Sequence, residues 1–157
     1  MKSAAGHGES MTKRSRKART IEFVLDGSIA LAWYFKDEAD PYADAVAASF
    51  ATARATVPLI WRLEVANALL TGERRQRSTE AQAFKWLAYL RSLPIEVDEE
   101  TNERAWSEVL GLGRAHRLSA YDAAYLELAL RRRLPLATLD NQLKAAAAAV
   151  GVSAFAA

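Results

Sequence analysis

The chain has 157 residues, 51% of them hydrophobic and 25% charged, which suits one domain with its own core; no apolar run approaches the roughly 20 residues that a bilayer span needs. It has no cysteine and only two histidines, His7 and His116. That excludes disulfides, thiolate chemistry and a three-histidine zinc site, so any metal must be held mainly by oxygen, as Mg²⁺, Mn²⁺ and Ca²⁺ are.

Residues 1–20 carry six Lys and Arg against Glu9, so the net charge of +2 hides a net negative remainder. This segment is polar and aperiodic and is expected to be a basic, disordered, solvated extension, although such a tail can attract nucleic acid without sequence preference. It lacks the apolar stretch of a secretory signal. Order is expected from Ile21 onward, over residues 21–157. Ile21 to Leu25 reads as a short buried strand. Asp26-Gly27-Ser28 follows, then a helix over Ile29 to Phe35 with Ser28 as its cap. Asp40 and Pro41 start a second helix that runs to about Ala53. Thr56-Val57 is a short extended piece before Pro58. Leu59 to Thr71 reads as a helix with Gly72 near its end. Ser78 caps another, over Thr79 to Leu93, stopped by Pro94. Ile95 to Val97 is a strand, and Glu99 to Arg114 a helix. Ser119 caps a helix over Ala120 to Arg132. Leu136 to Leu139 is a strand, Asp140 caps a helix through Val150, and Val152 to Phe155 is a last edge strand. Strands separated by helices imply a three-layer α/β/α fold with a mostly parallel central sheet.

Four acidic residues stand out. Asp26 and Asp140 each follow a strand and precede a helix, where ligands gather in open α/β sheets, although either could serve only as a helix cap. Asp122 lies in the first turn of a helix that is apolar nearly all round, from Ala120 to Leu128, so its charge needs a partner or a metal. Glu64 sits in mid-helix among apolar neighbours, with Asn67 three residues on and hence on the same face. Carboxylates meeting at one sheet edge repel one another unless cations neutralise them. One or two Mg²⁺ ions would do so, and such a site can activate water for attack on phosphorus.

The segment Val24-Leu25-Asp26-Gly27-Ser28-Ile29-Ala30-Leu31-Ala32-Trp33 resembles the opening motif of PIN-domain ribonucleases, notably the toxins of VapBC toxin–antitoxin pairs. Three later segments are similar to that family in the same order: Pro58 through Glu64 to Leu69, Leu118 through Asp122 to Ala129, and Pro135 to Asp140. The resemblance spans about residues 21–155. It implies a PIN-like fold, an acidic quartet of Asp26, Glu64, Asp122 and Asp140 around Mg²⁺ or Mn²⁺, and Asp26 and Asp122 as direct ligands. Ser28 and Thr138 match small hydroxyl positions beside the acids, and Asn67 is placed with them as a supporting residue. Gly27 departs mildly, since other small residues are common there. The resemblance further implies an RNA substrate and a small antitoxin partner; a homodimer is also expected, and the absence of cysteine fits a cytoplasmic setting.

Other features carry less. His116, between Arg114 and Arg117, suits a helix C-terminus. Gly111-Leu112-Gly113 lacks the spacing of a nucleotide-binding loop. Arg131-Arg132-Arg133 closes a helix favourably but could also meet RNA phosphates. Asp98, Glu99 and Glu100 read as the acidic first turn of a helix. The helix with Phe84, Trp86, Leu87, Tyr89 and Leu90 offers one face to the core and another to a dimer or antitoxin. A dehalogenase-like phosphatase would need a second Asp two residues after Asp26, where this chain has Ser28. A PIN-like module that binds RNA or protein without cutting is the remaining alternative.

Overall fold

The computed structural model describes residues 19–157, so the expected basic extension falls outside the described residues except for its last two positions. Four strands, β1 (Ile21–Leu25), β2 (Ala53–Pro58), β3 (Ile95–Asp98) and β4 (Leu136–Ala137), form one sheet in the order β3-β2-β1-β4. Every pairing is parallel, with Ile21 opposite Ala53, Ala55 opposite Ile95 and Val24 opposite Leu136. Phe23, Val24 and Leu25 are consecutive and all fully buried. Successive strand residues point to opposite faces, so both faces of the sheet are covered.

The cover comes from helices α1 (Gly27–Tyr34), α2 (Pro41–Ser49), α3 (Ile60–Arg74), α4 (Glu80–Ser92), α5 (Glu100–Glu103), α6 (Leu110–His116), α7 (Ala120–Arg132) and α8 (Asn141–Ala149). Helix α7 is the most deeply seated, with Ala123 through Ala129 all buried. The expected three-layer arrangement is therefore observed. From β1 the sheet grows to β2 and β3 on one side and to β4 on the other. The carboxyl ends of β1 and β4 thus adjoin where the winding reverses, the crevice in which open α/β sheets hold ligands. Among the described residues no helix is long and apolar enough to cross a membrane.

Several boundaries differ from the sequence reading, each for a local reason. Helix α1 starts at Gly27 and Asp26 takes the cap position without a side-chain cap bond; Ser28 is inside the helix because its hydroxyl is engaged elsewhere. Helix α2 stops at Ser49 because Ala53 already pairs with Ile21. Helix α4 is capped by Thr79 rather than Ser78, in a capping box with Gln82. Strand β4 ends at Ala137 because the chain from Thr138 to Asp140 hydrogen-bonds to side chains instead of the sheet. The last edge strand reduces to a single bridge between Leu136 and Ala154. The helix expected over Glu99 to Arg114 is broken after Glu103 and continues as a π-helical turn over Ala105–Val109, where the Val109 N–H donates to the Arg104 carbonyl five residues back. Residue 106 of that turn, a tryptophan, is 94% exposed.

Candidate metal centre

The crevice is built first around Asp26. It follows the last residue of β1, its N–H donates to the Ala137 carbonyl of β4, and its side chain is buried. Two hydroxyls converge on one carboxylate oxygen: Ser28 Oγ donates to Asp26 Oδ2 at 2.6 Å and Thr138 Oγ1 donates to the same atom at 2.7 Å. The same hydroxyls also accept from the chain beyond β4, Ser28 from the Leu139 N–H and Thr138 from the Asp140 N–H, both at 3.0 Å. Small hydroxyl side chains thus clamp the two strand ends together around one acid.

The other acids arrive from helices. Asp140 caps α8, its Oδ1 accepting from the Leu143 N–H at 2.8 Å, as the sequence suggested. Asp122 sits in the first turn of α7, whose cap Ser119 accepts from the Asp122 N–H. Glu64 projects from α3, partly buried, and its Oε1 accepts from the Tyr125 hydroxyl of α7 at 2.8 Å. A methyl group placed on Gly27 would lie 3.7 Å from Glu64 Oε2 and 3.8 Å from that hydroxyl, so Glu64 and Tyr125 meet immediately beside Asp26. Asn67, one turn along α3, is exposed and makes no side-chain hydrogen bond among the described residues.

Electrostatics ties the acids into one group. Burial pushes the Asp26 carboxyl above its ordinary value against the opposing bonds from Ser28 and Thr138. Burial raises Glu64 from 4.5 to about 6; the Tyr125 bond opposes this, and the charges on Asp26 and Asp122 add to it. Asp122 is raised by burial and then by the charges on Asp26 and Asp140. Among the described residues none of these four acids forms an ion pair; the ion pairs involve other carboxylates throughout. Elsewhere the buried Glu127 and the partly buried Asp98 are neutralised. Glu127, 3% exposed, has Arg131 Nε at 2.7 Å, and Asp98 has Arg131 Nη2 at 2.8 Å. For Asp98, burial pushes upward, but bonds from Arg131 and the Thr101 N–H hold it below the usual value.

The acids share a rim without closing on a point. Among the described residues no three His, Cys, Asp or Glu side chains are gathered tightly enough to enclose an ion as they stand. Like charges with nothing positive between them hold one another apart. The donor set, all oxygen and with negative charge that no ion pair offsets among the described residues, fits a hard divalent cation.

Residues outside the rim have other tasks. Arg131 and Arg132 are taken up by Asp98, Glu100, Glu127 and Glu22, while Arg133 is an exposed left-handed cap at φ 53°. His116 and the Gly111–Gly113 run belong to α6. Tyr125 escaped the sequence reading because it was counted among apolar residues. The available signal was its position three residues after Asp122, on the same helix face, together with the need of any buried tyrosine hydroxyl for a partner.

Comparison with known proteins agrees with the fold. The family model for the PIN domain matches residues 23–149. Among solved structures, PAE2754 from Pyrobaculum aerophilum is similar, with a TM-score of 0.59 at 24% identity over 82% of this chain and 87% of that one; at that identity the likeness speaks to the fold alone. No curated protein sequence gives a significant match. The family match runs from β1 to the end of α8, and the chain belongs to the PIN domain family, whose members are commonly metal-dependent nucleases.

Proposed function

We propose that the chain is a Mg²⁺-dependent endoribonuclease, with Mn²⁺ able to substitute, and that it acts in the cytoplasm as the toxin of a toxin–antitoxin pair. The catalytic set is Asp26, Glu64, Asp122 and Asp140, within a domain running from residue 21 to 157. The observation that carries the reading is the charge imbalance at the crevice: among the described residues these acids lack the arginine partners that the buried Glu127 and the partly buried Asp98 possess. A divalent cation held by Asp26 and Asp122 would supply that charge and stabilise the negative charge that develops on a phosphodiester under attack.

The chain's own groups divide the remaining work. Ser28 and Thr138 fix the Asp26 carboxylate through its Oδ2. Glu64, raised to about 6, is suited to take a proton from the attacking water near neutral pH, with Asp140 as the second group able to orient that water. No member of the acidic set is missing, so no observation favours a PIN-like module that only binds. The toxin role brings a small antitoxin as partner and, as a further expectation, a homodimer. An apolar groove of about 380 Å³ between α3 and α4, lined by Trp61, Val65, Leu69, Leu87 and Leu90, and the exposed Phe84 of α4 support a protein-binding surface there.

The test is cleavage of structured RNA by the purified protein with Mg²⁺ or Mn²⁺, its arrest by EDTA, and its loss in Asp26→Asn. Equal cleavage by that variant and the parent would sink the assignment.

A further inference from the structure

We infer that Tyr125 is a positioning residue for the acidic centre: its hydroxyl holds one oxygen of Glu64 so that the other faces the Asp26 end of the crevice. The inference rests on the nuclease reading above and adds a residue to it. Three observations converge. Tyr125 is fully buried, and its hydroxyl donates to Glu64 Oε1 at 2.8 Å. Glu64 Oε2 is left on the side of Gly27, where a methyl group would be 3.7 Å away, next to Asp26. Glu64 makes no ion pair among the described residues, and the tyrosine bond is its only side-chain hydrogen bond there, so no other such contact restrains its carboxylate.

The arrangement has a physical logic. Glu64 stands at the end of a long side chain on α3, which is free to rotate about several bonds. An arginine anchor would neutralise it; a neutral hydroxyl fixes its direction and leaves its charge available. Burial and the neighbouring acids make Tyr125 harder to ionise, so the hydroxyl remains a donor at all working pH values. The two residues sit on different helices, so the bond also sets α3 against α7, and with it Glu64 against Asp122.

Parent, Tyr125→Phe, Glu64→Gln and the double variant are compared by calorimetric Mn²⁺ titration of the metal-free protein and by steady-state RNA cleavage. Phe keeps the ring in its packing and removes only the donor. Tyr125→Phe is expected to bind Mn²⁺ about tenfold more weakly and to lose about tenfold in kcat with KM unchanged. Added to Glu64→Gln, it is expected to change neither quantity further, because its effect runs through Glu64. A Tyr125→Phe variant that binds Mn²⁺ like the parent, or whose losses add to those of Glu64→Gln, overturns the inference. A parent that binds Mn²⁺ but cuts no RNA removes the nuclease reading, and the Mn²⁺ cycle alone then decides on Tyr125. A parent that binds no Mn²⁺ overturns both.

Discussion

Thr138 and Asp26 meet across 112 positions of sequence, the threonine hydroxyl donating to Asp26 Oδ2 at 2.7 Å while it accepts from the Asp140 N–H at 3.0 Å. One side chain thereby joins the acid after β1 to the chain that departs from β4. Thr138→Val keeps the shape and removes both bonds, leaving the Asp140 N–H without that acceptor. The expected cost is about 1–3 kcal/mol in denaturant unfolding of the metal-free protein. Thr138→Ser should recover most of it. A valine variant as stable as the parent would show that the clasp carries no weight.

Asp26 holds a buried charge that hydroxyls and backbone N–H groups face, with no ion pair among the described residues, so removing the charge should help the empty fold. In Asp26→Asn the amide oxygen can accept the same protons from Ser28 and Thr138 with no ion to desolvate. The metal-free variant is expected to gain about 1 kcal/mol and to melt roughly 2–4 °C higher. Mg²⁺ should raise the melting temperature of the parent but not of the variant, since only the parent binds it well. RNA cleavage should be lost. Calorimetric scans with and without Mg²⁺ check all but the last; a variant that melts lower than the parent contradicts the unpaired-charge account.

The pH dependence of stability follows from the same imbalance. Glu64 moves from 4.5 to about 6 on folding, and Asp26 and Asp122 shift in the same direction. A carboxyl with a raised value binds more protons in the folded state than in the unfolded state between those two values. Its contribution therefore falls as pH rises through that window and stays low above it. Glu64 is partly open to solvent, so screening keeps its contribution to about 1 kcal/mol or less. Metal-free protein should be more stable near pH 5 than near pH 7, and added Mg²⁺ should stabilise it more at pH 7 than at pH 5. Urea titrations in EDTA at the two pH values give the answer, and stability that rises from pH 5 to pH 7 would refute the reasoning.

What was legible in the sequence was whatever depends on chain-local pattern. The runs Ile21–Leu25 and Ala120–Arg132 could be placed because burial on both faces of a strand, and nearly all round a helix, leaves a continuous apolar signature. Asp26 and Asp140 stood out because each lies between a strand and a helix, Glu64 and Asp122 because each is a charge in an apolar helix. Illegible were the features that depend on which side chain meets which. Ser28 looked like a cap because a hydroxyl before a helix usually is one, yet its proton goes to Asp26. Strand β4 looked longer than its two residues because Thr138 and Leu139 read as strand formers, whereas their neighbourhood draws them into side-chain bonds. Glu127 gave no signal as a buried acid, since its partner Arg131 is four residues on and reads as a solvent-facing helical pair.

That last pair makes a prediction with the opposite character to the acidic rim. Arg131 donates to Glu127 Oε1 at 2.7 Å, to Asp98 Oδ1 at 2.8 Å and to Glu100 Oε2 at 2.8 Å, while Thr101 donates to Glu127 Oε2 at 2.9 Å. The cluster fastens the C-terminal half of α7 to β3 and α5. Arg131→Met leaves Glu127 and Asp98 largely buried without their main counter-charge and should destabilise by about 3–5 kcal/mol. Combining it with Glu127→Leu removes one of those stranded charges and should restore part of the loss. Mn²⁺ affinity should barely change, because Arg131 lies nine residues beyond Asp122 on the same helix, roughly 13 Å along its axis. Each acid group thus has a member on α7, Asp122 in one and Glu127 in the other, but only the group without arginine partners among the described residues should answer to a divalent ion. A large loss of Mn²⁺ affinity in a folded Arg131→Met protein would mean that the two ends of the helix are coupled, and that the rim depends on more than the groups that touch it.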